Sequence, residues 1–296
     1  MKISKTKKRH LPLLEPKFWQ KSWQEANIKS SLRLTMSNKK KWIDFWNCIS
    51  SIYQKRNEHE QGLILKVIDL FFKENLINKD SKVLDIGCGP GTYALPLASM
   101  VSHITALDAA PEMLSVLTEQ AEQRGIANIS PLCVKWEESD FDGEFDFVLA
   151  AFSPAIRSAE ALLKMNKASC KYASIITHAG LDDFQMRLRN DLWKTVLGKK
   201  CESSVFHIIY PLNYLYAIGI RPSLRLIKHK ILYEEPLEHL LAQYESYFRI
   251  FTKLTKAKRN KIYRYLKNRS TNGTIRIDSE KNIYVMWWET SGVDKD

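Results

Sequence analysis

The sequence predicts an α/β fold built on a doubly wound, mostly parallel sheet of seven strands. Between residues 82 and 180, short apolar runs alternate with segments of helical periodicity. This alternation is typical of parallel strands joined by right-handed helical crossovers. Two longer runs with strand character, 223–234 and 274–288, bring the number of expected strands to seven.

The strands and helices of the central part follow from changes in periodicity. Five buried strands are expected at 82–87, 103–108, 129–136, 145–152 and 172–179. The helix after the first strand carries Pro96 near its start. The next helix begins at Pro111 and ends at Gly125, the positions where helices favour these two residues. A further helix at 158–168 connects the fourth and fifth strands.

Residues 1–60 are expected to form a helical extension, and residues 61–296 the main domain. The beginning of the chain is charged and contains Trp19 and Trp23, but it has no strand pattern. Further along, apolar residues recur at intervals of three and four. This spacing predicts two helices, the second of which ends near residues 78–80.

The composition is typical of a globular protein. Apolar residues make up 45% of the chain, which is enough for a sizeable core, and no apolar run is long enough to cross a bilayer. The basic N-terminus precedes an apolar stretch too short for a secretion signal, so a cytoplasmic location is expected. The five cysteines are widely spaced and form no C-x-x-C pair. Neither a structural zinc site nor a redox motif is therefore expected, and no metal is predicted.

The net charge of +12 is concentrated in two basic runs. Residues 2–9 form the first, and residues 253–269 contain eight Lys and Arg residues and no acidic residue. Such runs attract nucleic acid or other anions, but they also occur on solvated helix faces. In the second run, Ile262 and Leu266 have helical spacing. We expect them to pack inward while Arg259 and most other basic residues point outward.

A glycine cluster follows the first strand and opens a helix. Gly87, Gly89 and Gly91 allow a sharp turn and a close approach of the backbone to a ligand. The dinucleotide fingerprint G-x-G-x-x-G/A requires Gly or Ala at position 92, where this chain has Thr92. No lysine follows the loop, so a P-loop is excluded as well.

Two acidic residues flank this loop. Asp85 lies two residues before the first glycine, where a carboxylate would repel a pyrophosphate but attract a cationic amino-acid head group. Asp108 ends the second strand and can accept hydrogen bonds from both hydroxyls of a ribose. The ligand should therefore contain a ribose and a positively charged amino group but no phosphate. S-adenosylmethionine meets all three conditions.

The segments VLDIGCGPGTYALPLA (83–98) and ITALDAAPEML (104–114) resemble the first two motifs of the class I S-adenosylmethionine-dependent methyltransferases. The resemblance extends from about residue 82 to residue 180. It implies a Rossmann-like fold and a transferase that uses S-adenosyl-L-methionine as its cofactor.

By this resemblance, the glycine loop would hold the methionine part of the cofactor and Asp108 the ribose. Trp136 and Glu137 would lie at the adenine. Many family members have an aspartate in place of Trp136 that binds the adenine amino group. Here the ring of Trp136 or a backbone amide would contact the adenine instead. The full set of residues expected to bind the cofactor is Tyr53, Asp85, Gly87, Cys88, Gly89, Gly91, Thr92, Asp108, Ala109, Met113, Trp136, Glu137 and Ala151.

The methyl acceptor is less clearly marked in the sequence. His178 follows the fifth strand, at the edge of the sheet where ligands bind in such folds, and is the candidate general base. A structural, hydrogen-bonded histidine explains this position as well. Tyr53 and Arg56 are weaker candidates, and core packing of the aromatic residues with a simply solvated Arg56 is the alternative. Asp182 and Asp183 are expected to cap the following helix.

Three functions are compatible with these observations. The favoured one is methylation of a small molecule, with residues 1–60 as a lid, 81–180 as the cofactor-binding half and a helical insertion at about 234–268 on the substrate side. The second is methylation of rRNA or tRNA, with residues 253–269 binding phosphates. The third is a non-catalytic protein that binds S-adenosylmethionine. The sequence contains no recognisable RNA-binding module, which favours the first over the second.

The segment AAFSPAI (150–156) further narrows the acceptor. Enzymes that methylate amino groups of nucleic-acid bases or of protein glutamine commonly carry an Asn/Asp-Pro-Pro-aromatic motif at this place. Because this motif is absent, these two classes of acceptor are less favoured. No membrane partner is expected either.

Overall fold

The computed structural model describes residues 12–30, 39–180, 184–201 and 207–290. The first basic run and the expected caps Asp182 and Asp183 lie outside these ranges. No helix within them is long and apolar enough to span a bilayer.

The sheet has seven strands in the order β3-β2-β1-β4-β5-β7-β6. The first five strands run parallel, whereas β7 pairs antiparallel with both β5 and β6. The strands are β1 Lys82–Ile86, β2 His103–Asp108, β3 Ile129–Cys133, β4 Phe145–Ala151, β5 Ser169–His178, β6 Ser223–Pro236 and β7 Thr274–Glu289. The prediction of a mostly parallel, seven-stranded α/β sheet is confirmed.

Ten α-helices are found in the described part of the chain. They are α1 Pro16–Lys29, α2 Lys39–His59, α3 Gln61–Lys73, α4 Ala94–Ala98, α5 Pro111–Gln123, α6 Ala159–Ala168, α7 Phe184–Leu197, α8 Ile209–Ala217, α9 Leu237–Phe251 and α10 Lys256–Lys267. A helix is expected after Asp183, and α7 begins at Phe184, whereas α8 is not predicted by the sequence. Helices α9 and α10 lie between β6 and β7.

The helix predicted to end near residues 78–80 ends earlier, at Lys73. Asn75 takes a left-handed backbone conformation with φ of +54°, which terminates the helix. The N–H of Leu76 then turns back to the carbonyl of Phe71 at 2.9 Å. The apolar residues beyond this turn are buried without being helical, so the spacing alone extends the prediction too far.

Alternating side chains of the sheet divide between two apolar cores, one on each face. Val83 and Phe147 belong to the core that contains α3, whereas Leu84 and Val148 belong to the core that contains α6. In a third core, α2, α7, α9 and α10 pack against the C-terminal part of β6 and the N-terminal part of β7. Because Met113 from α5 also joins this third core, these helices lie beside the end of the sheet where the glycine loop is found.

Helix α10 contains most of the second basic run. Ile262 and Leu266 are fully buried, while Lys256 and Arg259 are exposed. The prediction of one inward-facing apolar side and an outward-facing basic side is confirmed.

Candidate active site

The glycine loop is fixed between the ends of two strands. Gly87 and Gly89 have φ of +70° and +56°, which glycine adopts without strain. The N–H groups of Gly87 and Cys88 both donate to the carbonyl of Leu107, at 2.7 and 3.0 Å. A Cβ atom on Gly87 would lie only 2.2 Å from Oγ of Ser153, in the loop after β4. The loop therefore needs glycine at this position for packing as well as for conformation.

A cavity opens above this loop, and it is called the cofactor cavity here. All of the residues predicted to bind the cofactor line it, with the exception of Gly91. A Cβ atom on Gly91 would meet Leu117 at 2.4 Å and Leu95 at 2.8 Å. This third glycine therefore allows the loop to pack on the neighbouring helices. The cavity is also lined by residues that the sequence did not indicate: Lys39, Trp42, Ile43, Trp46, Tyr93, Phe152, Ser153 and Arg157.

Asp85 lies at the bottom of the cofactor cavity and is 2% exposed. Its carboxylate accepts a hydrogen bond from the backbone of Ala94, but Oδ2 has no hydrogen-bond partner in the part of the chain that the structure describes. Burial, and then the nearby charge of Asp108, raise the pKa of Asp85 to about 7. An unpartnered buried carboxylate oxygen requires compensation, and a cationic group would provide it.

Asp108 organises the glycine loop. Its Oδ2 accepts from the N–H of Gly89 at 2.9 Å, and its Oδ1 accepts from the N–H of Ala110 at 2.8 Å. Burial raises the pKa of Asp108, although these backbone donors oppose the rise. Each oxygen retains a further lone pair, so the same carboxylate can still accept from a ligand.

Trp136 and Glu137 lie on one wall of the cofactor cavity. The indole of Trp136 is 2% exposed, and its Nε1 donates to the carbonyl of Ala161 at 3.2 Å. The carboxylate of Glu137 contacts Lys39 at 3.3 Å and Arg157 at 3.4 Å. Because the N–H group of Trp136 is already bonded, only its ring is available to a ligand in the cofactor cavity. Glu137 forms ion pairs with two basic side chains at the rim of this cavity.

Cys88 contributes an uncharged wall. Its thiol is buried, and burial raises the pKa of Cys88 well above the ordinary value, with Asp85 and Asp108 adding to the effect. No disulfide is formed by the cysteines, which are Cys48, Cys88, Cys133, Cys170 and Cys201.

A second cavity, called the side cavity here, adjoins the cofactor cavity. The two share Trp42, Trp46, Tyr53, Thr92, Tyr93 and Phe152. A third, more apolar cavity, called the apolar cavity, shares Trp42, Trp46 and Phe152 with both of them. Phe152 has a φ of +51°, which is unfavourable for a bulky side chain. This strained residue lies where the three cavities meet.

Two ion pairs form part of the side cavity. Arg56 Nη2 lies 3.3 Å from Glu235 Oε2 and donates to Gln243 Oε1 at 2.9 Å. Lys281 Nζ lies 2.5 Å from Glu60 Oε2. The alternative of a solvated Arg56 is wrong, because β6 and α9 cover this side chain and leave it 5% exposed.

The two acceptor-side candidates from the sequence lie in different places. Tyr53 lines both the cofactor and side cavities, and burial, followed by the charge of Glu60, raises the pKa of Tyr53 to about 12. His178 ends β5 and lines the side and apolar cavities, with its ring centroid 4.8 Å from that of Phe152. His178 does not line the cofactor cavity.

The segment that contains the glycine loop matches a known protein family. Residues 83–170 match the methyltransferase domain family. An aklanonic acid methyltransferase from Streptomyces is 34% identical over 33% of this chain and 44% of its own length. A 23S rRNA (uracil-C5)-methyltransferase from Shewanella amazonensis is 30% identical over 33% of this chain and 24% of its own length. The chain therefore spans less than half the length of these two relatives.

A longer match joins the chain to an uncharacterized protein of Haemophilus influenzae. It is 27% identical over 73% of this chain and 79% of that protein. The domain match confirms the resemblance found in the sequence over residues 83–170, which match a methyltransferase domain, and the sheet has the mostly parallel order expected of it. The prediction of a methyltransferase is confirmed at the level of this domain.

Proposed function

We propose that the protein binds S-adenosylmethionine in the cofactor cavity and methylates a small molecule bound in the side cavity. The main support is the unpartnered Oδ2 of Asp85, which is buried at the bottom of a glycine-lined cavity. A cationic amino group would satisfy this oxygen, whereas a phosphate would be repelled by it.

Different residues of the cofactor cavity would bind different parts of the cofactor. Asp85 would face the amino group, Asp108 the ribose hydroxyls, and the ring of Trp136 the adenine. The cofactor supplies a sulfonium methyl group that is open to in-line attack. The protein's own contribution is to align the acceptor and to exclude water, which can account for much of the rate enhancement.

The side cavity suits the acceptor because it shares a wall with the cofactor cavity and is surrounded by aromatic rings. We assign residues 1–60 to a lid, since α2 contributes Trp42, Trp46 and Tyr53 to this wall. Helices α9 and α10, within the insertion at about 234–268, form the substrate side of the main domain, 61–296. His178 is proposed as the group that takes a proton from the acceptor when the acceptor atom carries one.

Calorimetry with S-adenosylmethionine, S-adenosylhomocysteine and NAD tests the cofactor assignment. We expect both sulfur-containing ligands to bind and NAD not to bind. Asp108→Ala should lower their affinity at least tenfold, because charge-assisted hydrogen bonds contribute about 1.5–3 kcal/mol each. Binding of NAD alone would contradict the proposal. Methyl transfer to a candidate acceptor would then separate an enzyme from a protein that only binds the cofactor.

RNA methylation is the second candidate. The outward basic face of α10 and the rRNA methyltransferase among the relatives support it. The small-molecule function is favoured because the aromatic side cavity directly adjoins the cofactor cavity, and because α10 is an isolated basic helix.

A further inference from the structure

The side cavity contains several polar groups without partners. Within the described residues, no hydrogen bond is made by Nε1 of Trp42, Nε of Arg189, or the hydroxyls of Tyr93 and Tyr247. All four groups are buried and belong to residues that line this cavity. Buried polar groups are nearly always paired, so a cluster of orphans in one cavity indicates a missing ligand.

These groups share one chemical property. The indole N–H of Trp42 and the guanidinium N–H of Arg189 can only donate hydrogen bonds, and the two tyrosine hydroxyls can also donate. Trp42 and Tyr93 also line the cofactor cavity, whereas Arg189 and Tyr247 do not, so the unpartnered donors of Arg189 and Tyr247 are the ones that distinguish the side cavity from the cofactor cavity. The side cavity therefore requires a ligand that is rich in acceptors, and a positive charge next to the donors requires that ligand to be anionic.

Arg189 is the charge that can hold such an anion. Two other basic side chains of the side cavity are already neutralised, Arg56 by Glu235 and Lys281 by Glu60. Arg189 has no ion pair among the described residues. Burial raises the pKa of Tyr247, and the positive charge of Arg189 opposes this rise. Arg189 and Tyr247 both line the side cavity and the apolar cavity, so they belong to the wall that these two cavities share.

The position of this pair separates the acceptor from the cofactor. Arg189 and Tyr247 line the side and apolar cavities, but neither lines the cofactor cavity. An anion bound here is therefore distinct from the carboxylate of the cofactor's methionine part. The apolar cavity beside the pair is lined by Trp23, Ile175, Ile176 and Pro211, which can receive a hydrocarbon body.

We propose that the methyl acceptor is an organic carboxylate with an apolar body, and that Arg189 and Tyr247 bind its carboxylate group. A planar guanidinium matches a carboxylate through two parallel hydrogen bonds. The identity of the ligand as the acceptor rests on the proposed function, whereas the binding of a carboxylate at this pair does not.

Binding of matched acid and amide probes to the full chain tests this proposal. The probes are benzoate, cinnamate and 2-naphthoate, each compared with its neutral amide by calorimetry, with and without S-adenosylhomocysteine. We expect at least one acid to bind at least tenfold more tightly than its amide, since a charged hydrogen bond is lost in the amide. Arg189→Gln should abolish this preference, Arg189→Lys should retain part of it, and Tyr247→Phe should reduce it several-fold.

The controls distinguish the alternatives. Arg187→Gln, on the exposed side of the same helix, should leave the preference unchanged, and thermal unfolding checks that each variant is folded. Equal affinity for acid and amide in all three pairs, or an unchanged preference in both Arg189→Gln and Tyr247→Phe, would overturn the proposal. A loss of S-adenosylhomocysteine affinity in Arg189→Gln would also overturn it, because the arginine would then serve the cofactor. If the native chain bound an acid but no S-adenosylhomocysteine, the proposed function would fail and the carboxylate site would stand.

Discussion

The side-chain amide of Asn57 donates a hydrogen bond of 2.7 Å to Oγ1 of Thr92, which joins α2 to the glycine loop. A second link is made by Asn47, whose Oδ1 accepts from the N–H of Glu112 in the first turn of α5 at 3.1 Å. Helix α2 is thus connected to both sides of the cofactor cavity. Its position and the shape of the cofactor cavity should therefore depend on each other.

Replacement of Asn57 by alanine should weaken cofactor binding without unfolding the protein. One neutral hydrogen bond contributes about 0.5–1.5 kcal/mol, so the affinity for S-adenosylhomocysteine should fall about two- to tenfold. Calorimetry measures this change. Asn260→Ala, at an exposed position of α10 outside the cavity lining, should have no effect. Equal affinities in all three proteins would show that α2 does not help to shape the loop.

Gly87→Ala should destabilise the protein more than Gly125→Ala does. Both glycines have a left-handed φ, +70° and +65°, so alanine should cost about 1–2 kcal/mol at either place. Only at Gly87 does the added Cβ also collide, with Oγ of Ser153. Urea unfolding of the two variants isolates the effect of this collision. Ser153→Ala should restore part of the loss in Gly87→Ala, and equal losses in the two single variants would contradict the crowding between Gly87 and Ser153.

Cofactor affinity should rise with pH and level off above the pKa of Asp85. Because this pKa is raised from 3.8 to about 7, the carboxyl group is largely neutral below pH 7 and then attracts a cationic amino group poorly. The affinity for S-adenosylhomocysteine should increase by up to about tenfold per pH unit as the pH approaches 7. Asp85→Asn should bind weakly and show a flatter profile. A pH-independent affinity of the native protein would exclude this role of Asp85.

The same pKa shift predicts the opposite trend for stability without ligand. Between pH 3.8 and about 7, folded Asp85 holds a proton that the unfolded chain has lost. Its contribution to the free energy of unfolding therefore falls as the pH rises through this range. Asp85→Asn should lose less stability than the native protein over the same interval, as urea titrations at several pH values would reveal.

The buried pair of Arg56 and Glu235 should be sensitive to the loss of one partner. Glu235→Gln leaves a buried guanidinium without its counter-charge and should lower the free energy of unfolding by about 3–5 kcal/mol. The double variant Arg56→Met with Glu235→Leu should lose less than the sum of the two single changes. For comparison, Lys73→Met breaks an exposed pair with Asp69 and should change stability by less than about 1 kcal/mol. Additive single losses would mean that the pair is not coupled.

The basic face of α10 should prove dispensable for folding and for cofactor binding. Changing Lys256, Arg259 and Lys267 to glutamate alters exposed side chains and should leave both properties nearly intact. Gel-shift titrations with total RNA at two salt concentrations test the alternative function. Tight binding by the native chain, lost in the triple variant, would support RNA methylation. Each lost phosphate contact would then reduce the logarithmic salt slope by about 0.7–0.9.

The sheet and the glycine loop could be predicted because their signals are local. The change from helical to strand periodicity at Lys82, the glycine spacing and the acid at Asp108 all occur within a few residues of the feature that they predict. The end of α3 is mispredicted for the same reason, since the left-handed turn at Asn75 interrupts a helix while the apolar residues continue beyond it.

The side cavity could not be predicted, because its residues come from distant parts of the chain. Arg56 and Glu235 are 179 residues apart, and no local pattern shows that a charged residue will find a buried partner at that distance. Arg189 and Tyr247 likewise belong to two helices that are distant in sequence and pack together in the third core. A lone arginine on a helix of unexceptional composition carries no signal until the tertiary structure supplies its surroundings.

The third core also determines how this protein could be re-engineered. Helices α2, α7, α9 and α10 share one apolar interior, and all four lie outside the segment 83–170 that matches the methyltransferase domain. Replacing one of them alone would leave its former neighbours mispacked. Exchanging them together with the ends of β6 and β7 would replace the proposed substrate side as one unit, and it would also replace the α2 residues that line the cofactor cavity. If the proposed function is correct, the helices of this core are therefore the natural unit to exchange in a chimeric enzyme with a different acceptor.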